Sequence, residues 1–86
     1  MTAKEMFEEL GYKCLGGDIT SGYIAIKYFK EENCCEYDIT FDCNRQIRIC
    51  KNHIRNKRML LDIMDVDMKL LQAINKQVEE LGWNNE

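Results

Sequence analysis

The sequence contains no run of about 18 apolar residues, which a membrane-spanning helix would need. Its first residues also lack the basic-then-apolar order of a secretory signal. We therefore expect no membrane association and a cytoplasmic location. The 86 residues are enough for a single domain, residues 1–86, with one small core.

Motifs that hold phosphates or metals are also missing. No Gly-x-x-x-x-Gly-Lys-Ser/Thr or Gly-x-Gly-x-x-Gly pattern occurs, and no Cys-x-x-Cys pair is present. The only histidine, His53, stands three residues after Cys50, and Cys34 or Cys35 could in principle join these two in a metal site. A cysteine nucleophile with His53 as its base would require the two side chains to meet in space. We favour neither, and predict a protein that is not an enzyme and has no cofactor.

Cysteine is present in an odd number. The five cysteines are Cys14, Cys34, Cys35, Cys43 and Cys50. A complete disulfide framework needs an even number and an oxidising compartment. We therefore predict reduced thiols, most of them acting as small apolar residues.

Two places in the chain have nearly the same helix ending. Residues 8–12 are Glu-Glu-Leu-Gly-Tyr and residues 79–83 are Glu-Glu-Leu-Gly-Trp. A glycine after an apolar helical run, followed by an apolar residue, is typical of a left-handed C-cap. At the helix starts, Thr2 with Glu5 forms a capping box, and Asp67 is a suitable N-cap. The sequence thus predicts a helix at each end.

The middle of the chain predicts strands over residues 23–29, 35–41 and 46–52. Apolar and polar residues alternate most clearly in 35–41, which places Ile39 and Phe41 on one side. Directly opposed residues share a face of the sheet, so we expect Ile39 opposite Ile49 and Phe41 opposite Ile47. The turns are expected at residues 30–33 and around Asn44.

These elements predict an α+β fold of order α-β-β-β-α. The strands form a three-stranded antiparallel meander, and the two helices pack on one of its faces. We interpret residues 13–22 as a loop because they hold several glycines. Residues 53–64 have no clear period, and we expect a loop there, with a short fourth strand or a helical turn as alternatives.

Positive charge is concentrated in one segment. Residues 45–58 contain six of the twelve basic residues and no acidic residue. The rest of the chain contains the other six basic residues and all fifteen acidic residues. Such a segment can bind phosphates or an acidic protein surface, although it contains no aromatic residue for base stacking. The candidate interaction patch is Arg45, Arg48, Lys51, Arg55, Lys57 and Arg58. An ordinary solvated surface is the third interpretation.

An apolar cluster follows the basic segment. Its members are Met59, Leu60, Leu61, Ile63 and Met64. We expect this cluster to pack against the sheet. If it does not, an exposed apolar surface of this kind would be a contact between two copies of the chain.

Both ends and one strand resemble a known group of proteins. Residues 2–12 (TAKEMFEELGY), 39–42 (ITFD) and 68–83 (MKLLQAINKQVEELGW) resemble small uncharacterised proteins encoded by phages and prophages of low-GC Gram-positive bacteria. The resemblance lies in these three segments, about a third of the chain, and leaves out the cysteines and the basic segment. It implies an accessory role inside a bacterial host and carries over no catalytic residue.

We therefore predict a non-enzymatic protein-interaction module that modulates a host factor. Its partner would be another protein or a second copy of itself. The alternative is a nucleic-acid-binding accessory protein that uses the basic segment 45–58.

Overall fold

The computed structural model describes residues 1–15, 24–55 and 58–83. Along the chain, an N-terminal helix is followed by five strands and a C-terminal helix. The strands form one antiparallel sheet, in which they lie side by side in chain order. The elements are α1 (Ala3–Glu9), β1 (Lys13–Cys14), β2 (Ile24–Glu32), β3 (Cys35–Asp42), β4 (Ile47–Arg55), β5 (Arg58–Asp62) and α2 (Met68–Glu80). The predicted α+β class is thus confirmed, and the three predicted strands are the central part of this sheet.

The predicted helix ends are confirmed. Thr2 and Glu5 form the capping box of α1, and the Asp67 carboxylate accepts from the backbone N–H of Leu70 at the start of α2. Gly11 and Gly82 both have positive φ, at 91° and 74°. After each glycine, the next backbone N–H donates back to the carbonyl of the residue five positions earlier, at 3.0 Å in α1 and 3.2 Å in α2. Both helices therefore end in a Schellman motif.

The predicted register in the centre of the sheet is also confirmed. Ile39 lies opposite Ile49, and Phe41 lies opposite Ile47. On the other side of β3, Ile39 lies opposite Tyr28. We call the face that carries Tyr28, Ile39 and Phe41 the inner face, because both helices cover it, and the opposite one the outer face.

The core lies between the helices and the first three strands. Phe7 of α1 stacks on Tyr28 with ring centroids 3.8 Å apart, and Phe41 meets both rings edge-on. Trp83, just after α2, packs on Phe41 with ring centroids 6.0 Å apart. The buried cluster is Phe7, Tyr12, Tyr28, Ile39, Phe41, Leu70, Ala73 and Ile74. Within the described ranges, no residue of β4 or β5 belongs to this cluster or packs against it.

Three predictions of local structure were wrong. The turn between β2 and β3 is at Asn33 and Cys34, not at residues 30–33, because β2 extends to Glu32. Residues 13–14 form a short strand and not a loop, through pairing with residues 28–29. Residues 53–64 contain the end of β4 and all of β5, where we expected a loop; a short fourth strand was the alternative. The remaining residues of the predicted 13–22 loop lie largely outside the described residues.

Of the helices in the described ranges, neither has the length and apolarity that crossing a lipid bilayer requires.

Candidate functional site

The apolar cluster that follows the basic segment lies mostly in solvent. Met59, Leu60, Leu61 and Ile63 are 58%, 51%, 77% and 81% exposed. The expectation that these four pack against the sheet was wrong, because the helices cover only the first three strands. Met64 is half-buried and packs against the core, as expected. The first three residues of the cluster lie in β5, whose residues are all exposed.

The main chain of β5 also has groups that, on one side, face no strand among the described residues. The backbone N–H of Ile54 donates to the carbonyl of Cys34 at 2.9 Å, so the main-chain groups of Ile54 point toward β3. Ile54 lies opposite Met59, and these two therefore form a non-hydrogen-bonded pair of the β4–β5 ladder. It follows that the N–H and C=O of Met59, and of Leu61 two residues on, point to the open edge of the sheet.

The two edges of the sheet differ in how well they are protected. At one edge, β1 is only two residues long, and a very short edge strand offers little to pair with. At the other edge, β5 has five residues and no proline or lysine, and its three central side chains are apolar. We call β5 with its outward main-chain groups the open edge. It has the features of a strand that pairs with another chain.

The inner face of β4 extends this accessible surface. Ile47 and Ile49 lie opposite the buried Phe41 and Ile39, yet they are 37% and 38% exposed. The helices do not cover β4. The part of the sheet formed by β4 and β5 therefore presents both of its faces, as well as its edge, to solvent.

The structure does not gather the candidate basic residues on one face. Arg48 lies opposite Thr40 on the outer face, whereas Lys51 lies opposite Tyr37 on the inner face. Arg45 is in the turn before β4, at φ 62°, and Arg58 begins β5 beyond its other end. Lys57, and the side chain of Arg55, lie outside what the structure describes. Among the described members, no continuous phosphate-binding surface forms on one side of the sheet.

Lys51 already has neighbours of its own. Its Nζ lies 3.9 Å from a carboxylate oxygen of Asp62 and 5.6 Å from the ring centroid of Tyr37. These contacts reduce the charge that Lys51 can offer to a phosphate. Binding of nucleic acid thus has weaker geometric support than pairing at the open edge.

The structure brings Cys35 and His53 together. The Sγ of Cys35 lies 3.3 Å from Nδ1 of His53, across the β3–β4 pair on the inner face. Sequence reasoning named both residues but could not place them in contact, because the third predicted strand ended at residue 52, one residue before His53. Cys35 is buried and His53 is half-buried. No described side chain hydrogen-bonds the second ring nitrogen of His53, so the pair has no third group that would orient the imidazole.

The proposed metal ligands lie on different faces. Cys50 lies opposite Asp38 on the outer face, whereas His53 faces inward beside Cys35. Within the described ranges, no three cysteine, histidine or acidic side chains converge in a way that would hold a metal ion. All five cysteines are free thiols, and only Cys34 and Cys43 are exposed.

A small groove lies where the two helices meet β2 and β3. It has a volume of about 280 Å³, and its floor carries Lys30, whose Nζ lies 4.9 Å from the Tyr12 ring and 4.8 Å from the Tyr37 ring. Lys30 also pairs with Glu32 at 3.5 Å. Burial raises the pKa of the Tyr12 phenol to about 12. The lysine is thus held by its own neighbours, and the groove is also lined by Asp65 and by Asp67, the N-cap of α2.

Sequence reasoning missed one signal that was present in the chain. Residues 58–62 have a positive charge at one end, a negative charge at the other and three apolar residues between them. Such a pattern is complementary to itself when the strand is read in the opposite direction. It was overlooked because Arg58 was assigned to the basic segment, the apolar residues were assigned to the core, and Asp62 was assigned to neither.

The chain matches no protein-family model, no curated protein and no solved structure. The functional interpretation therefore rests on the geometry of this chain.

Proposed function

We propose that the chain is a non-enzymatic protein-interaction module that binds an extended segment of a protein at the open edge. One observation carries this proposal: Met59 and Leu61 direct unpaired main-chain groups at the open edge, and their exposed apolar side chains lie beside that edge on the outer face. A strand added to a sheet edge gains affinity from main-chain hydrogen bonds and specificity from alternate side chains.

The chemistry of the edge defines the segment that fits. It must be extended, with apolar residues opposite Met59, Leu60 and Leu61, and it must place charges near Arg58 and Asp62. Burying a leucine-sized side chain contributes roughly 1.5–3 kcal/mol. Three such side chains on a five-residue strand can thus support binding, even after the conformational entropy that the partner segment loses is subtracted.

The biological role that we propose follows from the resemblance. A small phage or prophage accessory protein in the cytoplasm of a bacterial host would use the edge to occupy a host protein, and so modulate it. The role requires no catalysis, cofactor or metal.

A photo-cross-linking amino acid at position 61 tests the proposal directly. Leu61 is 77% exposed at the open edge, and Gln72 on the exposed side of α2 provides a matched control position. In bacterial cells that express the protein, we expect defined covalent adducts from position 61 and none from position 72. Equal labelling from both positions, or no adduct from position 61, would contradict a binding role for the edge.

A further inference from the structure

We propose that the segment that binds the open edge is β5 of a second copy of this chain. The two β5 strands pair antiparallel about a two-fold axis at Leu60 and join two five-stranded sheets into one of ten strands. This inference rests on the proposed function and names its partner. It is carried by the direction of the main-chain groups and by the order of charges along the strand.

The main chain permits this register. Met59 and Leu61 direct their N–H and C=O outward, whereas Leu60 directs its own toward β4. With the axis at Leu60, Met59 of one copy lies opposite Leu61 of the other, and both have outward groups. Each such pair exchanges two N–H···O bonds, and the symmetry makes two such pairs. Leu60 then faces Leu60 of the second copy as the closer, non-hydrogen-bonded pair.

The side chains favour this register over its neighbours. With the axis at Leu60, all five residues are paired, and Arg58 lies opposite Asp62 of the second copy at both ends of the strand. With the axis at Met59, the main-chain directions still match, but Arg58 lies opposite Leu60 and Asp62 lies beyond the paired residues of β5. With the axis at Leu61, Asp62 lies opposite Leu60 and Arg58 lies beyond the paired residues. Opposite charges across a strand pair are favourable, and each neighbouring register loses both pairs.

The two faces of the joined strands receive different contacts. Leu60 and Asp62 lie on the inner face, and Asp62 also keeps Lys51 of its own chain within 3.9 Å. Met59 and Leu61 lie on the outer face, where each packs beside its counterpart in the second copy. The axis is perpendicular to the sheet, so the helices of both copies stay on the same side and do not obstruct the approach.

The interface is small, and this sets the strength of the dimer. Five paired residues bury less than the roughly 1,200 Å² at which stable specific interfaces begin. We therefore expect a dimer that dissociates on dilution, with a dissociation constant in the micromolar range or above. In the dissociated monomer, the open edge is also free to pair with an extended segment of another protein.

Sedimentation velocity with charge-exchanged variants tests the register. The wild-type chain should pass from monomer to dimer between micromolar and near-millimolar concentration. Arg58→Asp places two carboxylates opposite each other at both ends, and Asp62→Arg places two guanidinium groups there. Each should raise the dissociation constant about tenfold or more. The double variant Arg58→Asp/Asp62→Arg restores both opposite pairs and should recover dimerisation.

The matched control is Arg48→Asp, which makes the same charge change on the outer face of β4. It should leave the dissociation constant within about twofold of wild type. Circular dichroism establishes that each variant is folded. A wild-type chain that stays monomeric to near-millimolar concentration overturns the inference. The inference is also overturned if both single variants dimerise as tightly as the wild type, or if the double variant does not recover dimerisation.

A disulfide across the axis gives an independent readout. In a non-hydrogen-bonded antiparallel pair the Cα atoms lie about 4.5 Å apart, within the range of about 4.4–6.8 Å that disulfides span. With the exposed Cys34 and Cys43 changed to serine, Leu60→Cys should therefore form a covalent dimer under mild oxidation. Leu61→Cys should not, because its two copies lie diagonally, about 7–8 Å apart. Equal cross-linking by both variants, or more by Leu61→Cys, contradicts the proposed axis.

The two proposals can fail separately. If position 61 cross-links to another protein in cells while the purified chain stays monomeric, the edge is an interaction site and only the self-pairing is wrong. If position 61 yields no adduct and the chain is monomeric, both proposals are wrong.

Discussion

The hydroxyl of Tyr28, in the middle of β2, donates a hydrogen bond to Oε1 of Gln77 on α2, and both side chains are buried. This bond joins the sheet to the C-terminal helix at the centre of the core. Gln77 is one of only two buried polar residues among those described. The position of α2 on the inner face is therefore fixed by a polar contact as well as by apolar packing.

Removal of the Tyr28 hydroxyl should destabilise the fold. Tyr28→Phe leaves the buried amide of Gln77 without its partner, which costs about 1–3 kcal/mol. For a domain of this size, each kcal/mol lowers the melting temperature by about 4–8 °C. Tyr28→Phe combined with Gln77→Met replaces both polar groups and should recover most of this loss. A melting temperature that is equal in wild type and Tyr28→Phe would show that the bond contributes nothing.

Stability should fall in alkaline solution. Burial raises the pKa of Tyr12 from 10.0 to about 12, and burial also raises the pKa of Tyr28. The folded state thus favours the protonated phenols. The contribution of Tyr12 to stability is complete below pH 10 and is lost as the pH rises from 10 through 12, and the contribution of Tyr28 also begins to fall above pH 10. Urea unfolding should give a lower free energy near pH 11 than near pH 8, with a smaller difference in Tyr12→Phe. A free energy that does not change over this range contradicts the burial of both rings.

The turn between β2 and β3 offers a stabilising substitution. Asn33 and Cys34 both have positive φ, at 52° and 61°, as a two-residue type I′ hairpin requires. Asparagine tolerates this conformation, but a cysteine Cβ is strained there by roughly 1–2 kcal/mol. Cys34→Gly should therefore raise the free energy of unfolding by about 1 kcal/mol, as measured by urea denaturation. Cys34→Ala retains the Cβ and serves as the control. If the glycine variant is no more stable than the alanine variant, the turn has another conformation.

The two C-cap glycines should differ in how well they tolerate alanine. At Gly82 the added Cβ would meet open space, so the cost is the left-handed backbone alone, about 1 kcal/mol. At Gly11 it would also lie 3.2 Å from Cδ of Lys30, which makes this side chain shift by a few tenths of an ångström against the rings of Tyr12 and Tyr37. Gly11→Ala should therefore lower the melting temperature more than Gly82→Ala. The reverse order would contradict the packing of Lys30 against the first cap.

The parts of the fold that the sequence predicts well are those with strong local signals. The Thr2–Glu5 capping box, the Asp67 cap and both glycine endings are local patterns, and all are confirmed. The alternation in residues 35–41 fixes which side faces inward, and the register of β3 against β4 follows from it. Each of these features depends on neighbours within a few positions along the chain.

The features that the sequence could not provide depend on distant contacts. Two residues are too few to show a period, so β1 exists only through its pairing with β2. The three consecutive apolar residues of β5 show no alternation, because both of its faces are exposed. Whether Leu60 and Leu61 are covered depends on where the helices lie. They pack on β2 and β3, where Tyr28, Ile39 and Phe41 supply the largest apolar surface, and this leaves β5 uncovered.

Amide hydrogen exchange at β5 is the most direct test of the central claim, that the open edge pairs with β5 of a second copy. The Leu60 N–H faces β4 and should be protected at every concentration. The Met59 and Leu61 N–H groups should exchange slowly in concentrated solution and fast after dilution or in Arg58→Asp. Exchange at Met59 and Leu61 that is fast at all concentrations, or that is as slow as at Leu60 regardless of concentration, would contradict the account.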